Sequence, residues 1–202
     1  MLIGLASLRP QVGKTTIAHY LKRQHGFTHV EMSDPISILA EKFFGYNGDK
    51  SDPNQRKILQ ELGMMGKRID PTIWIYNTIG LARRKMWGLE SSSLISPTFL
   101  FYYNVQSTRK EIIEKGIDSF LEHKNLVIGG IRSPDEADEI VKIGGKVLCI
   151  VRDIMEEKEI DKHPVENQLY GYRSFYKIIY NNGTIEYLNN AVENILNTIA
   201  GK

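Results

Sequence analysis

Hydrophobic and polar positions follow two periods along this chain. Short apolar runs, "LIGLA" (Leu2–Ala6), "FTHVEM" (Phe27–Met32), "NLVIGG" (Asn125–Gly130), "KVLCIV" (Lys146–Val151) and "KIIY" (Lys177–Tyr180), predict strands. Between them the period lengthens. "IAHYLKRQHG" predicts a helix that stops at Gly26. Ile36, Leu39, Ala40, Phe43 and Phe44 recur at helical spacing and define one apolar face. In "SPDEADEIVKIGG", Ser133 caps a helix, Pro134 suits its first position and Glu136 completes a capping box. A last helix runs from about Thr184 to the C-terminus. Strands alternating with helices predict an α/β chain with a parallel sheet covered on both faces.

Two stretches interrupt the alternation. The first runs from about Tyr46 to Lys124. In it Ile58, Leu62 and Met65 mark one helix, Ile75, Ile79, Ala82 and Met86 mark another, and Thr108 with Glu111 caps a third. The second, from about Asp153 to Tyr176, is rich in charge. Insertions at the ligand-binding edge of a sheet are usually lids or substrate subdomains. The expectation is therefore one domain spanning 1–202, with an insertion over about 46–124 and a lid over about 153–176.

Composition narrows the class. Apolar residues make up 42% and charged residues 25% of 202 residues, as in a globular protein with its own core. A formal net charge of +2 argues against nucleic acid as the main partner. No apolar run approaches the length of a membrane span, and the first residues carry no basic leader. The single cysteine, Cys149, excludes an internal disulfide and suits a reducing cytoplasm. Metal-ligand spacing of the Cys/His type is absent, and there is no internal repeat.

The candidate chemistry falls at the carboxyl ends of the predicted strands, where parallel sheets bind ligands. "GLASLRPQVGKTT" (Gly4–Thr16) ends as a phosphate-binding loop should, but Leu8 stands where such a loop has its first glycine. Gly13, Lys14, Thr15 and Thr16 supply a helix start, a charge and hydroxyls. Lys14 would bind outer phosphates and Thr15 would offer its hydroxyl to magnesium. The alternative is an ordinary strand-to-helix turn. In "EMSDPI", Asp34 is either an N-cap or a group that holds metal-bound water or takes the proton of an attacking oxygen. In "GGIRSP", Arg132 either clamps phosphate or forms a salt bridge. "NNGT" is strong turn chemistry. In this fold class the same loop passes beside the base of a bound nucleotide, so Asn181, Gly183 and Thr184 are candidates to hold adenine.

Together these pieces resemble the phage-type deoxynucleoside monophosphate kinases, relatives of adenylate kinase and dephospho-CoA kinase. The matching pieces are "GLA…GKTT", "MSDPIS", "RKILQELGMMGKRIDPTIW", "IRSPDEADEI", "GGKV", "DKHPVEN" and "YNNGTIEYL", in family order. The resemblance implies a three-layer P-loop nucleotide-kinase fold with strand order 2-3-1-4-5. It implies transfer of the terminal phosphoryl group of ATP, with Mg2+, to a nucleoside monophosphate. Lys14, Asp34 and Arg132 would be catalytic, with Thr15 and Asp34 at the metal. Arg56 and Arg68 would fork onto the acceptor phosphate and Trp74 would stack on its base; otherwise they are solvated helix charges and a core tryptophan. Arg152, His163 and Arg173 would contact phosphate from the lid, although His163 and Glu166 in "HPVEN" would equally fix the lid's shape.

The chain departs from the family at Leu8 and at strand three, where the family's Asp-Val-Arg reads Gly130-Ile131-Arg132. Two further readings stay open: a same-fold kinase for another phosphorylated acceptor, such as phosphomevalonate or dephospho-CoA, and a nucleotide-binding protein without transfer. The aromatic run "SPTFLFYYNV" reads as an acceptor pocket, a hairpin or the contact of a homodimer.

Overall fold

The computed structural model describes residues 1–88, 104–152 and 168–201. They form two compact units, Met1–His29 with Asn125–Lys202, and Val30–Lys124. The chain forms a five-stranded sheet of order β2-β3-β1-β4-β5, and the first unit holds four of its strands and the start of β2. Its strands are β1 (Leu2–Ser7), β2 (Thr28–Glu31), β3 (Leu126–Ile131), β4 (Lys146–Val151) and β5 (Lys177–Tyr180). Each falls on one of the apolar runs, because only such runs can be buried on both faces of a parallel sheet.

β1 lies at the centre, parallel to β3 and β4, with Leu2 opposite Leu126 and Leu5 opposite Leu148. Pleating sends alternate side chains to opposite faces. Ile3 and Leu5 join Leu148, Ile150 and Ile179 in a core closed by helices α1 (Lys14–His25) and α8 (Ile185–Ile199). On the other face Gly4 meets Ile140 of α7 (Pro134–Lys142). The capping box of α7 is formed as expected, with Glu136 accepting the Ser133 backbone N–H at 3.2 Å. α1 ends at Gly26 in the left-handed conformation.

Two departures concern the sheet. β5 is covered less than the apolar run suggested: Ile179 is buried, while Ile178 and Tyr180 are exposed, because β5 forms the edge. In β3 the pairing slips, with Gly4 opposite Ile128 but Ala6 opposite Ile131. The extra residue is absorbed at Gly129-Gly130, where Gly130 takes φ 76°. A bulge with glycine in the left-handed region is the physical reason for two glycines there.

The second unit is helical: α2 (Asp34–Phe44), α3 (Pro53–Ile69), α4 (Ile73–Met86), α5 (Asn104–Lys115) and α6 (Ile117–Phe120). α4 is its spine, with residues 73–80 all buried. Two expectations fail here. Phe43 and Phe44 do not complete the apolar face of α2; both are 54% exposed, and Leu39 and Ala40 carry the burial. Thr108 and Glu111 do not cap a helix. They lie inside α5, where Thr108 is buried and Glu111 accepts Arg83 at 2.7 Å and Lys115 at 3.1 Å. No helix among the described residues is long and apolar enough to cross a membrane.

Candidate active site

The phosphate-loop candidate joins β1 to α1. Its geometry explains how it dispenses with a glycine at Leu8. The left-handed positions of the loop are Gln11, at φ 57°, and Gly13, at φ 102°. Position 8 is not among them, so a side chain is tolerated there. The turn after β1 is closed by the Ser7 hydroxyl, which donates to the Arg9 carbonyl at 2.8 Å. That is local side-chain turn chemistry in place of backbone freedom. The same hydroxyl accepts a hydrogen bond from Lys14 Nζ, so the lysine folds back over its own loop.

At the other end Gly13 caps α1, and Ile17 N–H donates to its carbonyl at 3.1 Å. The first turn of α1 contains no acidic residue. Its exposed amides and positive dipole end are therefore not neutralised from within the helix. The loop lines a cavity of about 380 Å³ together with Arg152, Asn181, Gly183, Ile185 and Leu188. Gln11 to Thr16 complete the wall, and no described residue lining it is a carboxylate. Among the described residues the lining carries two cations, a helix N-terminus and no anion, a setting that favours negative charge. Ile185 and Leu188 give one side an apolar surface suited to a flat ring.

The first unit thus brings together Gly13, Lys14, Thr15, Thr16, Arg152, Asn181 and Gly183 of the expected residues. Asn181 does more than turn the chain. Its side chain is buried and donates to the Val12 carbonyl at 2.8 Å. Under the loop, Cys149 of β4 is buried, and burial pushes its thiol up to about 11, against a smaller opposite pull from Lys14. It is a core thiol and not a nucleophile. Arg132 follows β3 and is exposed; its backbone N–H donates to Glu136 at 2.8 Å. Arg173 is exposed. His163 lies outside the described residues, as do most of the expected lid and the "SPTFLFYYNV" run up to residue 103.

In the second unit Asp34 is the first residue of α2, not its cap: its carboxylate accepts the Glu31 backbone N–H at 3.1 Å. It also lies 3.3 Å from Lys85 Nζ of α4, a partner that no motif announced. Arg56 and Arg68 are exposed on α3. Trp74 is not presented for stacking. It is 2% exposed, its ring lies against Gly66, and its indole N–H donates to the Gly63 carbonyl at 2.9 Å. That makes it a core tryptophan joining α4 to α3. Among the described residues no group of three or more His, Cys, Asp or Glu could hold a metal ion. The donors present are hydroxyl and single carboxylate oxygens, which suit a hard cation held largely by phosphate and water.

No family model matches the chain. Over 203 aligned residues it is 26% identical to a protein of Acanthamoeba polyphaga mimivirus named "Putative deoxynucleotide monophosphate kinase", covering 92% of this chain and 91% of that one. Over 185 residues it is 24% identical to "Uncharacterized protein ORF77" of Ictalurid herpesvirus 1 (strain Auburn), covering 91% of this chain and 65% of the viral protein. Among solved structures, a dephospho-CoA kinase from Campylobacter jejuni aligns over 98% of this chain and 96% of its own, with a TM-score of 0.43 and 14% identity. The likeness to the mimivirus protein named as a deoxynucleotide monophosphate kinase thus extends over nearly the full length of the chain.

Proposed function

We propose that this chain is an ATP-dependent phosphotransferase that moves the terminal phosphoryl group of ATP to a nucleoside or deoxynucleoside monophosphate. The observation that carries the reading is the cavity lined by Lys14, Arg152 and the start of α1, with no carboxylate among the described residues of its lining. The mimivirus relative's printed name supports the acceptor class.

On this reading the amides of Gly13 to Thr16 receive the phosphate chain and Lys14 spreads its charge over the bridging and terminal oxygens. Bound magnesium would offset charge on the phosphates, with Thr15 and water on Asp34 as its protein-side holders. Asp34 also orients the attacking oxygen of the acceptor and draws its proton. Arg132, Arg152 and Arg173 neutralise charge on the group in flight, and a lid over about 153–176 excludes water. Ile185, Leu188 and Gly183 receive the adenine. Arg56 and Arg68 of the insertion take the acceptor phosphate, while Trp74 supports them from the core. A reducing cytoplasm suits the buried free cysteine.

The test is direct. The protein is incubated with ATP, magnesium and a panel of nucleoside and deoxynucleoside monophosphates, and new diphosphates are sought. A diphosphate from one or a few monophosphates is the expected result. Nucleotide binding with no diphosphate from any acceptor would leave a binding protein without transfer. Transfer only to dephospho-CoA or phosphomevalonate would change the acceptor class.

A further inference from the structure

Asn181 stands at the exit of β5, where the family resemblance assigns a loop that touches the base. Its observed bonds point elsewhere. The backbone N–H donates to the Val151 carbonyl at 2.7 Å, which anchors the residue on the end of β4. The side-chain amide then reaches across 169 positions of sequence to donate to the Val12 carbonyl at 2.8 Å. Both partners are nearly dry: Asn181 is 9% exposed and Val12 1%.

The bond acts on the peptide between Val12 and Gly13. A trans peptide is planar, with its C=O and N–H directed oppositely, and there is no cis peptide among the described residues. Fixing the Val12 oxygen on Asn181 therefore fixes the direction of the Gly13 N–H. Gly13 opens α1 and lines the charged cavity. The fit is close, since a Cβ at Gly13 would sit 2.5 Å from Asn181 Nδ2. Released from Asn181, the Val12–Gly13 peptide can turn, since on its far side stands Gly13, at φ 102° and without a Cβ to restrict it.

We propose that Asn181 is a positioning residue of the phosphate loop: its amide holds the Val12–Gly13 peptide so that the Gly13 N–H faces the bound phosphates. This rests on the reading of the cavity as a nucleotide site. It differs from a base contact in one respect: Asn181 then governs affinity for phosphate chains that carry no base.

Inorganic tripolyphosphate and ADP, each titrated calorimetrically into the wild-type protein and into Asn181→Ala, separate the two roles. Loss of affinity for both probes by a similar factor, about tenfold or more, is expected, since a buried carbonyl is left unpaired. Loss for ADP alone would overturn the proposal in favour of a base contact. No loss for either would overturn it outright. A wild-type protein that binds neither probe would remove the nucleotide reading and this inference with it. Should Asn181→Ala fail to fold, Asn181→Ser carries the same test, since its shorter side chain withdraws the amide from the Val12 carbonyl. Similar losses for tripolyphosphate and ADP are expected; unchanged tripolyphosphate affinity would overturn the proposal.

Discussion

The backbone at Gly13 and the side chain at Leu8 make opposite predictions about two positions of one loop. Gly13→Ala places a Cβ on a φ of 102° and against Asn181, so nucleotide binding is expected to collapse and the melting temperature to fall. Leu8→Gly restores the family's residue where no left-handed backbone needs it. It is expected to leave nucleotide affinity unchanged while costing up to about 1 kcal/mol of stability through added chain entropy. Equilibrium binding and urea titration of both variants check this; a tighter-binding Leu8→Gly would show the turn to be strained. Lys14→Ala is expected to fold normally and lose turnover by about 100-fold or more, the effect of removing a preorganised charge stabiliser. Near-normal turnover would take the loop out of the mechanism.

The joints of the helical unit are electrostatic. Arg109 of α5 donates to Asp70 and to Thr72 Oγ1, both at 2.5 Å, and its guanidinium lies 4.6 Å over the Tyr76 ring. It therefore ties the end of α3 and the start of α4 to α5. Burial opposes the charge on Asp70, but the bonds from Arg109 and Thr72 outweigh it and hold the carboxyl below the usual aspartate range. A depressed folded-state value means that this stabilisation is complete above the ordinary aspartate range and is lost as pH falls below it. Asp70→Asn is expected to flatten that acid limb and cost about 1–3 kcal/mol at neutral pH. Tryptophan-monitored urea titrations between about pH 3 and pH 7 measure both effects. Local signals made most elements legible: apolar runs located the strands, and Ser133, Pro134 and Glu136 located α7. The misread features depend on distant partners. Glu111 mimics a capping residue, but Arg83 of another helix claims it. Phe43 and Phe44 have the right spacing, yet spacing does not reveal what stands opposite. The loop residues of the site were legible as a motif because their contacts are near in sequence. Lys85 beside Asp34, and Val12 beneath Asn181, are pairings across 51 and 169 positions that no local pattern encodes.

Spectroscopic and chemical reporters are divided between the two units. Trp74 and Trp87, the only tryptophans, fall in Val30–Lys124, and Cys149, the only cysteine, falls in the other unit. With its thiol raised to about 11 and buried, Cys149 is expected to resist alkylation until the sheet unit opens. ADP at about 100 times its dissociation constant should slow that labelling by about 100-fold, because a ligand of the native state suppresses global opening by mass action. Unchanged labelling at saturating ADP would place nucleotide binding away from the sheet unit. The point where the chain leaves that unit has a different kind of consequence. Thr28 N–H bonds the Asn125 carbonyl at 2.9 Å, so the strand that leads out and the residue that leads back are already stitched together. Whatever length of chain is looped out between them adds little closure cost, since that cost grows only with the logarithm of loop length. Over evolutionary time the intervening stretch is thus free to be lengthened, shortened or exchanged as a cassette, and relatives are expected to diverge in size there while the sheet and its charged loop stay constant.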